Sequence, residues 1–394
     1  RHKERITLKA DYVIKNGRVI DPLTNTDKVQ DVVICNNRIV DAGSEEITCS
    51  HVIDAQGCIV APGLIDFHTH IYYEGSGIGI KPDMMIPQGT TAAVDAGTSG
   101  AANFMAFYRS SVVPSLVKIK SLLTVYSGGQ LDPKLCEDFN PALYNYDRIV
   151  RVVDMYRHNI LGLKIRISKG VVPEDKGLDY LKAAVELADK INNQLGTKLA
   201  VCVHTTNSPM TAGELAECLR PGDIFCHCFQ GSGNNMVLGD GSIDQGVLEA
   251  RKRGVIFDAA NGKGNFGVAT AKKALAKGFL PDIISSDLTN DKFNMPPYDK
   301  NLVTVLSKYL TLGMDLKTVL KAATATPARL MGMEGQIGTL KPGAYADVVV
   351  LREKQINFIH KDFKDDALEA NTLLVPQMTI CSGEIQFCQN DFWL

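Results

Sequence analysis

The chain has 394 residues, 45% hydrophobic and 22% charged, with a formal net charge of −2. That length exceeds a minimal domain and fits one large α/β barrel with an appendage, or two to three ordinary domains. The near-neutral charge excludes the basic stripe that a nucleic-acid or anionic-membrane binder needs, and no apolar run reaches the ~20 residues of a membrane span.

The opening stretch "RHKERITLKA" lacks the apolar h-region of a secretory signal. Ten cysteines are scattered along the chain, several inside apolar runs (Cys35, Cys202, Cys226). There they behave as small hydrophobes, so reduced thiols and a cytoplasmic location are expected in place of a disulfide scaffold.

From the N-terminus, short strands with turns come first: "DYVIKNGRVID", "QDVVICNNRIVDAG" and "CSHVIDAQGCIV". Asn16-Gly17 and Asn36-Asn37 sit between apolar runs and signal β-hairpins. The C-terminal stretches "ADVVVLREK" and "MTICSGEIQF" have the same texture, which points to one small sheet domain assembled from both ends.

The middle of the chain has a different rhythm. Eight apolar runs read as strands: "GLIDFHTH", "TAAVDAG", "SLLTVYS", "LGLKIRIS", "LAVCVHT", "DIFCHCF", "VIFDAA" and "DIISSDL". Amphipathic segments such as "LDYLKAAVELADKINNQ" separate them, the pattern of parallel β/α units. Eight units favour a closed barrel over an open doubly wound sheet. The expected architecture is an α/β fold, a (β/α)8 TIM barrel over residues 62–332 with a small β-sandwich from 1–61 and 333–394.

In such a barrel the chemistry sits at the C-terminal ends of the strands. The first run ends in His68 and His70, which share a face because side chains alternate along a strand. The fourth holds Lys164, the fifth His204, the sixth His227 and the eighth Asp287. The other histidines, His2, His51, His158 and His360, fall in termini or connections. Alternation in "LGLKIRIS" sends Leu161, Leu163, Ile165 and Ile167 toward the helices and Gly162, Lys164, Arg166 and Ser168 into the lumen. In the sixth run it places His227 with Phe225 and Phe229 and points Cys226 and Cys228 away.

Each residue alone reads more readily as a satisfied polar group at a strand end; their combination does not. Four imidazoles and a carboxylate suit two adjacent borderline metals such as zinc. A lysine ammonium would repel those cations, but its neutral amine can add carbon dioxide, and the resulting carbamate has two oxygens able to bridge them.

These residues resemble the amidohydrolase superfamily, the dinuclear metallohydrolases related to dihydroorotase and urease. "DAQGCIVAPGLIDFHTH" is similar to the family's first-strand signature, Lys164 to its carboxylated lysine, His204 and His227 to its fifth- and sixth-strand ligands, and Asp287 to its eighth-strand aspartate. "TATPARLMGMEGQIGTLKPGAYADVVVL" resembles the segment that leaves the barrel for the small domain. "GLKIRIS", "VCVHTTNSP" and "CFQGSGNN" resemble the deacetylase-like branch.

The resemblance implies that His68, His70 and Asp287 bind one metal, His204 and His227 the second, and carboxylated Lys164 bridges them. It further implies hydrolysis of an amide or ester by a bridging hydroxide, with Asp287 moving the proton. Arg166 is the candidate for a substrate carboxylate, with a buried salt bridge as its other reading. Lys263 and Asn265, in the glycine-rich "NGKGNFG", are candidate substrate contacts; neither that segment nor "GSGNN" has the frame of a phosphate loop. Asp66 is expected to support the ligands.

Cyclic-amide hydrolysis, a non-catalytic scaffold and a mononuclear deaminase are the rival functions. The expected partner is a small-molecule substrate, with no nucleic acid and no membrane; a homo-oligomer is compatible with the sequence.

Overall fold

The structure, a computed structural model, describes residues 7–41, 43, 46–49, 51–132, 134–294, 299 and 301–392. His2 and most of the opening stretch lie outside the described residues. The first seven apolar runs of the middle region form the strands β1 (Leu64–Thr69), β2 (Thr90–Gly100), β3 (Lys118–Thr124), β4 (Ile160–Arg166), β5 (Ala200–His204), β6 (Ile224–Cys226) and β7 (Ile256–Asp258). They pair in sequence order, every neighbour parallel.

The eighth run makes no ladder. Residues 283–288 close the circle through single bridges, Ile283 to Asp258 and Leu288 to Thr69. The Asp287 N–H donates to the His68 carbonyl (2.8 Å) and the His70 N–H to the Leu288 carbonyl (2.9 Å). The fold is a TIM barrel, and its closing seam falls at the residues predicted to hold metal.

Helices wrap the outside. In Gly177–Leu195, Leu181, Ala184, Ala188 and Ile191 recur at helical spacing and pack with Leu163, Ile165 and Ile167 of the β4 region. Lys164, Arg166 and Ser168 face the cavity, as alternation requires. Leu161 departs from the expected face and packs with the lumen cluster, next to a register shift between β3 and β4. That cluster is apolar throughout: Ile65, Phe67, Val94, Leu122, Cys202, Ile224 and Cys226 meet Met331 and Ile337.

The small domain is a sandwich of a six-stranded and a four-stranded sheet. Both chain ends contribute to the larger one: Ile59–Pro62 pairs with Arg18–Asp21 on one side and with Val348–Lys361 on the other. Ile14, Val19, Ile34, Val60, Val348, Val350, Met378 and Ile380 fill the space between the sheets.

Of the two hairpin signals, Asn36-Asn37 forms one. It joins Val32–Cys35 to Arg38–Val40 with φ of 50° and 62° at its two residues. Asn16-Gly17 does not: Tyr12–Lys15 and Arg18–Asp21 belong to different sheets, and the turn passes the chain between them. A Cβ on Gly17 would lie 2.4 Å from Val60 Cγ2, so the glycine answers a close approach across the sandwich core.

Strand Ile59–Pro62 runs through Gly63 directly into β1, and the Gly63 N–H donates to the Asp347 carbonyl (2.8 Å). The buried Asp347 carboxylate accepts from Lys118 Nζ (2.9 Å), at the start of β3, and from the Ser382 N–H (2.8 Å). Asp347 therefore ties the sandwich to two barrel strands. Asp347→Ala leaves a half-buried ammonium and a backbone N–H without their acceptor. It should lower stability by about 2–4 kcal/mol, measured as a fall in the urea midpoint.

Candidate metal centre

The strand ends bring His68, His70, Lys164, His204, His227 and Asp287 to the floor of one cavity, with Arg166, Lys263 and Asn265 on its walls. All nine residues predicted from sequence meet there. His68, His70, Lys164, His227 and Asp287 are buried and His204 is half-buried.

The hydrogen bonds of the imidazoles fix which nitrogens face inward. His227 Nδ1 lies 2.8 Å from the Ala260 carbonyl, which can only accept, so Nδ1 carries the proton. Its Nε2 is then a bare lone pair, buried and without a partner among the described residues. His68 Nδ1 faces the Asp258 carboxylate (3.3 Å), and its Nε2 points at Asp287 Oδ1 (3.4 Å). His70 Nδ1 meets the Thr98 hydroxyl (2.8 Å), and its Nε2 is 3.2 Å from the same Asp287 oxygen.

Burial, reinforced by Lys164 and His70, pushes His68 well below the ordinary histidine value. Burial and His227 do the same to His204, and burial pushes His227 down to about 3. Burial works against the charge of Asp287, but His68, His70 and His227 outweigh it and hold the carboxyl well below the usual range. Imidazole nitrogens and a carboxylate oxygen converge on one buried point, where a cation can bond to each of them. This donor set of nitrogens and a carboxylate oxygen fits a divalent metal such as zinc.

The backbone is bent to achieve it. His227 has φ of 61° and Asp287 of 51°, left-handed values uncommon for non-glycine residues and costly to hold. The twist at His227 also breaks the alternation read from sequence. Cys226 does not point away: its Sγ lies 3.4 Å from Lys164 Nζ and 3.6 Å from His68 Nδ1. Phe225 packs instead in the outer core with Phe257.

Lys164 has its Nζ between Cys226 and Cys202 Sγ (3.6 Å). Burial favours its neutral amine, but Cys202, Cys226 and Asp287 raise it above the ordinary lysine value. Two glycines make room here. A Cβ on Gly97 (φ +90°) would fall 2.7 Å from Lys164 Cβ and Cγ, and one on Gly262 would fall 1.8 Å from Asp287 Oδ2.

Asn265 Nδ2 donates to Asp287 Oδ2 (2.8 Å), so it steadies the carboxylate from the cavity wall. Arg166 pairs through Nη1 with the buried Glu137. Asp66 accepts from the Ser286 N–H (2.9 Å) and hydroxyl, bracing the residue before Asp287. His360 lies in a strand, not a connection, with Nδ1 2.8 Å from Asp299.

Sequence reading missed Asp258, Glu137 and the inward thiols. Asp258 ends β7 as His204 ends β5, and Cys202 shares a face with His204; both signals were available. Glu137 lies in an irregular connection with no periodicity to betray it.

The chain matches the model of the amidohydrolase family over residues 235–385. It is 30% identical over 334 residues to a deacetylase of Agrobacterium fabrum, covering 84% of this chain and 80% of that protein. A crystal structure of a dihydroorotase superposes with a TM-score of 0.81 at 25% identity, covering 96% of this chain and 98% of the other. A crystal structure of an adenine deaminase shares the fold with a TM-score of 0.83 at 24% identity, covering 96% of this chain and all of that one.

Asp258 orients His68 from behind, and such partners are typically worth 10–100-fold in metal affinity. Asp258→Ala should therefore weaken zinc retention roughly 10–100-fold in competition with a chelator, while the circular dichroism of the fold is unchanged.

Proposed function

The chain belongs to the amidohydrolase family, and from that footing we propose how its residues carry out metal-dependent hydrolysis of an amide or ester bond. The supporting observation is the buried cluster of His68, His70 and Asp287, whose candidate ligand atoms lie within 4.8 Å of one another. We assign His68, His70 and Asp287 to one divalent ion and His204 and His227 to a second, zinc by donor type. Lys164, as its carbamate, would supply oxygen ligands to both. Such a pair of ions supplies an acidified water near neutral pH and polarises the acyl oxygen.

The chain's own residues do the rest. Asp287, kept ionised by the surrounding imidazoles, takes the proton of the attacking water and returns it to the leaving nitrogen or oxygen. Asn265 holds Asp287 Oδ2 and leaves Oδ1 to the histidines. Carbamate formation needs the neutral amine that Cys202, Cys226 and Asp287 disfavour. Cations beside Lys164 reverse that balance, so metal loading and carboxylation support each other. Lys263 stands on the cavity wall as a substrate contact.

Deacetylation is the first reading of the reaction. Ring opening of a cyclic amide is the second, favoured by the likeness to a dihydroorotase. Ten free cysteines support a reducing, cytoplasmic location, and no helix among the described residues is long and apolar enough to cross a membrane.

Metal analysis of the purified protein should find about two ions per chain; one would favour a deaminase and none a scaffold. Lys164→Ala should lose activity and bind about one ion or fewer, with partial rescue by added acetate or propionate; full activity with an unmodified amine removes the carbamate. Asp287→Asn keeps a coordinating oxygen but cannot accept a proton. Its kcat should fall by roughly 10²–10⁴-fold, amides suffering more than activated esters because their leaving groups need protonation.

A further inference from the structure

The small domain extends an arm to the barrel mouth. Val348–Lys361 pairs with Ala367–Cys381 as far as Lys361 with Ala367, but only Val348–Leu351 and Met378–Cys381 also pair with other strands of the sheet. The rest is a two-stranded ribbon, marginal by itself, and the barrel fastens it. Partway along, the Leu374 N–H donates to Ser307 Oγ (3.0 Å) in the helix Leu302–Thr311. Nearer the tip, Asp299 pairs with His360 (2.8 Å) and with Lys308 Nζ (2.6 Å). The same ammonium stands 3.8 Å over the ring of Phe266, in the loop after β7.

The tip itself makes the decisive contact. Asp362 is 3% exposed. Its Oδ1 accepts the Lys364 and Asp366 N–H groups (2.8 and 3.0 Å) and closes the turn, while its Oδ2 accepts the Val268 N–H (2.9 Å). Val268 opens the helix Val268–Ala276, whose first N–H groups have no partner within the helix. The residue that ordinarily supplies a capping oxygen is here Gly267, which has no side chain. A Cβ on Gly267 would lie 2.9 Å from Gly231 Cα in the loop after β6, so Ser, Thr, Asp and Asn do not fit. The cap comes instead from the arm, and its carboxylate also suits the positive end of the helix. Lys364 Nζ donates to the Gly231 carbonyl (2.7 Å), so the tip holds both loops where they cross.

What this fixes lies on the cavity wall. Asn265, three residues before Val268, donates through Nδ2 to Asp287 Oδ2 (2.8 Å). We infer that Asp362 is a positioning residue of the hydrolytic site: from the small domain it caps the helix Val268–Ala276 and so sets the loop from which Asn265 holds Asp287. The inference rests on the hydrolytic reading above and adds a residue that lies outside the cavity.

Asp362→Asn is the sharper probe. Its remaining oxygen stays with the two N–H groups of the turn, so an amide faces the Val268 N–H and the cap is lost without loss of volume; Asp362→Ala removes the turn contacts as well. Hydrogen–deuterium exchange, read on peptides, should rise roughly 3–30-fold over residues 261–268 in Asp362→Asn, the scale of a lost cap. The helix Gly177–Leu195 should exchange as in the wild type. On zinc-loaded protein, kcat for p-nitroacetanilide should fall roughly 3–30-fold with KM nearly unchanged. p-Nitrophenyl acetate should suffer less, because its leaving group needs no proton. In an Asn265→Ala background, Asp362→Asn should cost less than about twofold more, since the contact it acts through is gone.

Unchanged exchange over 261–268 overturns the proposal. So does a loosened loop with kcat unaltered on both substrates, or an effect that adds in full to Asn265→Ala; either result leaves the hydrolase intact. A wild type that hydrolyses neither substrate strikes at the hydrolytic reading. Zinc retention against a chelator then decides for Asp362 if Asp362→Asn weakens it in the wild-type background and not in Asn265→Ala, and against Asp362 otherwise.

Discussion

The structure turns on one electrostatic constraint: an ionised carboxylate, Asp287, buried among imidazoles whose nitrogens converge on it. His68 and His70 approach the same oxygen at 3.4 and 3.2 Å, and His227 presents a lone pair with nothing to accept it. Burial favours the neutral form of His68, His204 and His227, which is the form that binds metal, while the carboxyl of Asp287 keeps its charge. Such a cluster is unfavourable by itself in a medium of low polarity. A cation placed among these donors would bond to each of them, and its binding would then add to the stability of the fold.

The scaffold supports this arrangement from behind three of the imidazoles. The Ala260 carbonyl fixes the tautomer of His227, Asp258 that of His68, and Thr98 engages His70. Gly97 lets the lysine stem pass and Gly262 leaves space for the aspartate. The left-handed backbone at His227 and Asp287 is local strain that the barrel around it sustains. β1 in turn is held by the sandwich, because the strand Ile59–Pro62 continues into it through Gly63. The small domain thus bears on the metal site through the covalent chain itself.

Much of this was legible in the sequence. Alternation placed Lys164, Arg166 and Ser168 in the lumen because β4 is a regular strand there, and "HTH" brings His68 and His70 to one cavity although the pairing of β1 slips at that point. The logic failed where regularity fails. Within β6 alternation holds, with Ile224 and Cys226 inward and Phe225 outward, but His227 sits beyond its end with a positive φ, so counting the faces back from His227 inverts them. Asn16-Gly17 carried a hairpin signal, but which sheet each flanking strand joins is settled by packing across the sandwich, which a two-residue motif does not encode. Glu137 was illegible because its role depends on where a long connection brings it, a tertiary fact without a local pattern.

Below Lys164 the barrel is plugged by apolar side chains, with Phe67, Leu122 and Cys226 meeting Met331 and Ile337. That layer closes the barrel beneath the cavity, which opens on the side of Arg166 and Lys263. Substrate must arrive, and both fragments depart, by the same opening. The fragment that keeps the contacts of the outer wall is the last to leave, and while it stays it bars the next turnover. Departure through the doorway is thus a step of its own beside the chemistry at the floor.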